Sequence, residues 1–197
     1  VTGFPYIANS KIISTPAAGD IDDDGDKEII FGTEDGTIYV IKKDGIEYFS
    51  YTQSSEIIQY PMLCNLDNNS FLEIVFIGLE DSLSTLYAID NNGDDIDGFP
   101  IVFPEIIKSG PASADFNHDG LDDVVIVSKG GNIYLINSYG EIMNGFPLNI
   151  SAIPIAPPAI ANIDNEIGLE ISSIIENNLK ATGLFNPLEK KAFLQKP

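Results

Sequence analysis

The feature that most constrains this chain is an internal repeat. Gly3-Phe4-Pro5 recurs as Gly98-Phe99-Pro100 and Gly145-Phe146-Pro147, with Phe49 as a weaker copy. Sixteen residues after each phenylalanine stands an acidic or amide residue: Asp20, Asn65, Asp115 and Asn162. Both series step by 45, 50 and 47 residues. Two independent markers in one register predict four copies of a single unit. The units run approximately over 10–54, 55–104, 105–151 and 152–197. Residues 1–9 are left over as the outer strand of a preceding or closing blade, and residues 3–9 are expected to pair with the fourth blade next to residues 180–186.

Each unit has the same grammar. A small-residue segment, Ser14 to Ala18 in the first copy, leads into an acidic loop. An apolar run follows, Ile29-Ile30-Phe31 or Val124-Val125-Ile126-Val127, then a glycine turn. A second run carries a shared signature: Ile38-Tyr39-Val40-Ile41, Leu86-Tyr87-Ala88-Ile89, Ile133-Tyr134-Leu135-Ile136. The runs are short, rich in β-branched and aromatic residues, and bounded by Gly, Asp and Asn, which predicts strands. No window holds a three-turn amphipathic helical pattern. Units of this length with three or four strands predict an all-β chain, a β-propeller or propeller arc of four antiparallel blades. The tyrosines at 39, 87 and 134 recur at one strand position and are expected to pack within blades.

The acidic loops carry the candidate chemistry. Asp20, Asp22, Asp24, Gly25 and Glu28 fit D-x-[DN]-x-D-G-x-x-[DE], as do Asp115, Asn117, Asp119, Gly120 and Asp123. Oxygen ligands at positions 1, 3 and 5 of a tight loop wrap a hard cation. Glycine at position 6 permits the turn. Position 7, Asp26 or Leu121, offers a backbone carbonyl, and position 9 a closing carboxylate. An all-oxygen set of this kind favours Ca²⁺ over Mg²⁺ or zinc. An EF-hand needs Glu at position 12, where this chain has Phe31 and Ile126. Loop 2 (Asn65, Asp67, Asn69, Glu73) has Ser70 in place of the glycine, and loop 4 (Asn162, Asp164, Glu166, Glu170) has Ile167. Both are graded as weak sites or empty turns.

These residues resemble the FG-GAP/VCBS repeat family, the integrin-like blades of many secreted bacterial proteins. Phe31-Gly32 and Gly110-Pro111-Ala112 carry the family name, and loops 1 and 3 match its cation loop residue by residue. The resemblance implies a calcium-binding, non-catalytic propeller module of the extracellular space or cell envelope. It would serve adhesion, ligand binding or scaffolding, with a protein or carbohydrate ligand and self-association or attachment to further repeats. Two departures stand out: integrin-type propellers have seven repeats where this chain has four, and unit 4 has Lys180-Ala181-Thr182-Gly183 where the others carry the strand signature.

Composition narrows the partners. Thirty acidic residues against ten basic give a net charge of −20, and all ten basic residues are lysine. Nucleic acid and anionic membrane surfaces are thereby disfavoured, and cations favoured. Cys64 is the single cysteine, so no internal disulfide is expected. No apolar run is long enough to cross a membrane, and no signal peptide is evident. The start at Val1 rather than Met fits a processed or trimmed piece. His118, the single histidine, sits at a non-ligand position of loop 3, and no nucleotide or nucleophile motif occurs. The alternative function is a propeller-type enzyme or enzyme-associated module acting on polysaccharide, through a carboxylate pair.

Overall fold

A computed structural model describes residues 3–151 except 58 and 108, together with 154 and 156–161. The chain divides into two compact units, Val1–Ile160 and Ala161–Pro197. The described residues of the first unit are all-β, with twelve strands in three four-stranded antiparallel sheets.

Sheet one is β1 (Ala17–Gly19), β2 (Glu28–Gly32), β3 (Thr37–Ile41) and β4 (Glu47–Thr52). Sheet two is β5 (Met62–Cys64), β6 (Glu73–Glu80), β7 (Leu83–Ile89) and β8 (Ile101–Phe103). Sheet three is β9 (Ala112–Ala114), β10 (Asp123–Val127), β11 (Asn132–Ile136) and β12 (Leu148–Asn149). In every sheet the strands lie side by side in chain order, the meander that short glycine turns dictate. The small-residue segments form the first strands and the acidic loops join first to second. The two apolar runs pair in the centre: Phe31 faces Tyr39, Phe76 faces Tyr87 and Ile126 faces Tyr134.

Alternation along the central strands decides which sheet meets which. Ile30, Ile38 and Val40 of sheet one pack with Ile74, Phe76 and Ile89 of sheet two. Val75, Ile77, Leu86 and Ala88 on the other face of sheet two pack with Val124, Ile126, Tyr134 and Ile136 of sheet three. The sheets therefore stack face to face in sequence, each strand pair buried on both sides. Glycine makes the approach close. A Cβ on Gly32 would lie 2.3 Å from Ile57 Cγ2, and one on Gly110 would meet the Tyr60 ring at 2.2 Å. The recurrent tyrosines pack as their spacing implies: Tyr39 stacks on Phe31 at 5.5 Å and Tyr87 on Phe76 at 5.0 Å.

The Gly-Phe-Pro corners tie neighbouring sheets. A Cβ on Gly98 would sit 2.0 Å from the Tyr139 carbonyl oxygen, so the corner between β7 and β8 rests on the turn after β11 of sheet three. Gly3 makes the same approach to Asp44 O in sheet one. The leading segment nevertheless differs from expectation. Residues 3–9 carry no strand. Tyr6 and Ala8 instead cover Phe31, Tyr39 and Ile41, on the face of sheet one that points away from sheet two. The expected partner of this segment, residues 180–186, lies outside the described residues. So does the fourth unit at 152–197, apart from 154 and 156–161, which carry no strand.

Candidate functional site

The three described acidic loops share one scaffold. The position-9 carboxylate opens the second strand of its sheet with its side chain turned inward. Glu28 and Glu73 are 0% exposed and Asp123 is 1% exposed. Each accepts a hydrogen bond from the backbone N–H at position 2. The lengths are 3.2 Å from Ile21 to Glu28 Oε2, 2.6 Å from Leu66 to Glu73 Oε2 and 2.9 Å from Phe116 to Asp123 Oδ2. Position 1 closes loops 1 and 3 from the other side. Asp20 accepts from the N–H groups of Asp24 and Gly25 at 3.2 and 2.9 Å, and Asp115 from those of Asp119 and Gly120 at 3.2 and 3.0 Å. The curl places Gly25 and Gly120 at φ of 88° and 93°, which requires glycine where the sequence supplies it.

Loop 1 concentrates charge most tightly. Among the described residues, Asp20, Asp22 and Glu28 form the one group of three metal-ligating side chains whose atoms lie within 4.8 Å of one another. Asp22 Oδ1 and Glu28 Oε1 are buried with no hydrogen-bond partner. Burial, then the nearby Asp22 and Asp24 charges, hold the Glu28 carboxyl above its ordinary range, against the Ile21 hydrogen bond and Lys42. Orphaned oxygen acceptors and an all-oxygen donor set fit a hard cation. Asp24 lies outside the trio and accepts from the Asp26 N–H at 2.8 Å; the Asp26 carboxylate pairs with Lys43.

The sequence offered no signal for Lys42, which reaches from the end of β3 to Asp22 at 3.1 Å and Asp24 at 3.7 Å. Its ammonium also lies 4.2 Å from the centre of the Tyr48 ring. A tethered cation thus sits beside the carboxylates that would take a free one.

Loop 3 is arranged differently. The Asn117 amide nitrogen points at Asp119 Oδ2, 2.8 Å away, while its oxygen accepts from the Asp119 N–H. Leu121 donates its N–H to Asp119 Oδ1 at 2.9 Å. Burial, more than the Asp119 and Asp115 charges, raises the Asp123 carboxyl, against hydrogen bonds from Phe116 and Asn117. Loop 2, graded poor for want of glycine, keeps the same inward carboxylate. Glu73 Oε1 and Asn65 Oδ1 are buried without partners, and burial pushes Glu73 up to about 7. The position-9 register was therefore a better guide to loop geometry than the position-6 glycine. Loop 4 lies outside the described residues.

Other reactive groups have quiet surroundings. Burial pushes the Cys64 thiol well up, which suppresses the reactive thiolate. His118 is exposed, with φ of 62° at the loop tip. Glu105 accepts from Asn132 at 3.0 Å and from the Tyr134 hydroxyl, a structural tie between sheets two and three.

Residues 147–197 match the TolB amino-terminal domain family. The segment takes in the whole of the expected fourth unit. A Tol-Pal system protein TolB from Pelagibacter ubique (strain HTCC1062) is 42% identical over 60 residues, 28% of this chain. The chain covers only 14% of that relative's length. Among solved structures, BBS1N in complex with ARL6DN superposes with a TM-score of 0.59 at 13% identity, over 84% of this chain and 50% of that one. BamB from Moraxella catarrhalis gives 0.58 at 15%, over 80% and 44%. The computationally designed Ika4 protein gives 0.57 at 15%, over 80% and 85%. At such identities these three likenesses speak for the blade-like fold alone.

The TolB matches overturn the FG-GAP/VCBS resemblance. They also overturn the calcium-binding, integrin-like adhesion module drawn from it. The physical reason lies in how little a short loop motif specifies. A carboxylate-rich turn between two strands is a local solution, fixed by a few hydrogen bonds, and does not identify the protein around it. Ile167 at a glycine position and Lys180 to Gly183 at a strand position mark where the repeat grammar gives way.

Proposed function

We propose that this chain is a non-catalytic protein-interaction module of the cell envelope, in which propeller-type blades are joined to a TolB amino-terminal-type segment. The match over residues 147–197 carries the reading, supported by the TolB relative from a Tol-Pal system. Face-to-face stacking of three meander sheets supports a propeller arc, and the likeness to BamB and BBS1N supports it further. Such an arc offers loops and sheet edges as a recognition surface on a rigid core. A charge of −20 favours basic partners and disfavours nucleic acid. Among the described residues no helix is long and apolar enough to cross a membrane. The buried thiol and the exposed lone histidine support a role without turnover.

Loop 1 is proposed as a structural cation clip of the first blade. Asp20, Asp22 and Glu28 would hold the ion, with Asp24 and the Asp26 carbonyl completing its shell, and Ca²⁺ suits the donor set. The loop 3 set of Asp115, Asn117, Asp119, Leu121 and Asp123 would need its Asn117 amide reversed to serve. The ion's part is to neutralise crowded carboxylates. It has no part in adhesion.

The test is cross-linking in intact bacteria expressing the full chain with an export signal. The expected result is specific adducts with envelope proteins. Adducts only with cytoplasmic proteins, or turnover of a glycan or peptide substrate abolished by one carboxylate substitution, would refute it.

A further inference from the structure

An open cleft of about 490 Å³ lies between the second and third sheets, on the side of the acidic loops. Loop 2 contributes Leu66 and Asp67, the corner before β8 contributes Asp95, Ile96 and Asp97, and the closing turn of sheet three contributes Ser138 and Tyr139. No lysine lines it. Two of its carboxylates are partly engaged, Asp67 with Asn69 and Asp95 with the Tyr51 hydroxyl at 2.9 Å. Asp97 is exposed and has no hydrogen-bond partner among the described residues. Ser138 is only 3% exposed, yet its Oγ is a buried hydroxyl without a partner. A buried polar atom of that kind is costly to leave unmatched, and it stands in the wall of an acidic cleft. Tyr139 is 65% exposed and offers an aromatic surface at the rim.

We infer that this cleft receives an arginine side chain from a partner protein. The inference rests on the protein-interaction role proposed above and names the chemistry of that contact. Among the described residues, the cleft's carboxylates do not converge closely enough to form a metal-ligand group, whereas loop 1 does. Charge spread over a cleft suits an extended ligand with several donors. A guanidinium has five N–H groups in a plane, enough for the free Asp97 oxygens and the Ser138 hydroxyl together. The Tyr139 ring can take its face as a cation–π partner. Leu66 and Ile96 are apolar surface for the alkyl stem. The volume falls in the usual range for a small-ligand site.

The probe is the blocked tripeptide acetyl-Ala-Arg-Ala-amide, titrated into the full chain and followed by calorimetry and tyrosine NMR shifts. The citrulline analogue, equal in shape and neutral, is the control. Both are run in chelator and in 1 mM Ca²⁺. The arginine peptide should bind at least tenfold more tightly than the citrulline peptide under both conditions. Asp97→Asn and Tyr139→Ala, both at exposed side chains, should each weaken it at least threefold without shifting the melting temperature. Asp81→Asn, in an acidic turn elsewhere, should leave it unchanged. Equal affinity for the two peptides would overturn the inference. So would full binding by the Asp97→Asn/Tyr139→Ala double variant, or an equal loss in Asp81→Asn, which would mean diffuse charge alone. Failure of the peptide with envelope cross-links retained removes the arginine site and spares the broader role. Peptide binding without envelope cross-links removes the role and spares the site.

Discussion

Glu28→Gln should reverse its effect on stability between metal-free and calcium-containing buffer. Glu28 is buried, its Oε1 has no partner, and its oxygens lie within 4.8 Å of those of Asp20 and Asp22. Two unit charges at that separation repel by roughly 3.5 kcal/mol at an effective dielectric of about 20. Lys42 and solvent offset most of this, so removing the charge should stabilise the metal-free chain by about 1 kcal/mol. The amide oxygen can still accept from Ile21, which preserves the loop scaffold. With Ca²⁺ the sign changes. An ion present at ten times its dissociation constant adds about 1.4 kcal/mol, and an amide at position 9 forfeits most of that. For a chain of this size 1 kcal/mol moves the melting temperature by about 2–4 °C. The assay is thermal melting by circular dichroism in chelator and in 1 mM Ca²⁺. The variant should melt a few degrees above the parent in chelator and at or below it in calcium. The same shift in both buffers would refute the cation clip.

Three further outcomes follow from the same geometry. The rise of the Glu73 carboxyl from 4.5 to about 7 means the folded state holds its proton where the unfolded chain has released it. That costs nothing below pH 4.5 and grows to roughly 3 kcal/mol at pH 7, so in chelator Glu73→Gln should gain stability over the parent as pH climbs from 4.5 to 7; a pH-independent difference in urea melts would contradict it. Gly32→Ala should destabilise by about 1–3 kcal/mol despite alanine's better strand propensity, because its Cβ would lie 2.3 Å from Ile57 Cγ2 in a fully buried contact; an unchanged urea midpoint would show that the sheets slide apart freely. Lys42→Met should tighten Ca²⁺ binding severalfold by removing the ammonium 3.1 Å from Asp22; calorimetry showing equal or weaker affinity would place the ion elsewhere.

How far the sequence reached depended on which interactions are local. The meander, its turns and the central strands follow from β-branched runs and glycine punctuation, and these were readable residue by residue. The sequence marked position 9 as a closing carboxylate; that it turns inward onto an N–H seven residues back in the same loop came from the structure. Lys42, Tyr6 and the Ser138–Tyr139 wall were not readable. Each acts on a residue far off in the chain, and no spacing rule brings Tyr6 to Phe31 or Ser138 beside Asp97. The overturned family resemblance had the opposite cause. Loops 1 and 3 keep the register of a cation loop, and so local a motif does not name the family around it. A loop motif needs only a few polar residues, whereas a strand pair must fill two faces. Loss of the apolar run is therefore the stronger sign that a repeat has ended.

The leading segment does for sheet one what a neighbouring sheet does for the others. Central strands that carry large apolar side chains on both faces need cover on both. Sheets two and three receive cover from the sheet before them. Sheet one receives it from Tyr6 and Ala8, with the Tyr6 ring 6.2 Å from Phe31 and 5.9 Å from Tyr39. Gly3 repeats against Asp44 the corner that Gly98 makes against Tyr139, so the leading segment reuses a blade junction. Tyr6→Ala should then behave as a core substitution although the residue lies near the start of the chain. It strips the ring from two aromatic neighbours, Phe31 and Tyr39, and opens Ile41 to water. Loss of a large buried aromatic contact costs about 3–5 kcal/mol in a closed core, and a half-exposed cap should lose about 1–2 kcal/mol. Amide exchange should rise first in β2 and β3 and leave β10 and β11 protected, because the two pairs belong to different sheets. Uniform exchange across all three sheets would show that the array unfolds as one body and that the cap holds no edge of its own.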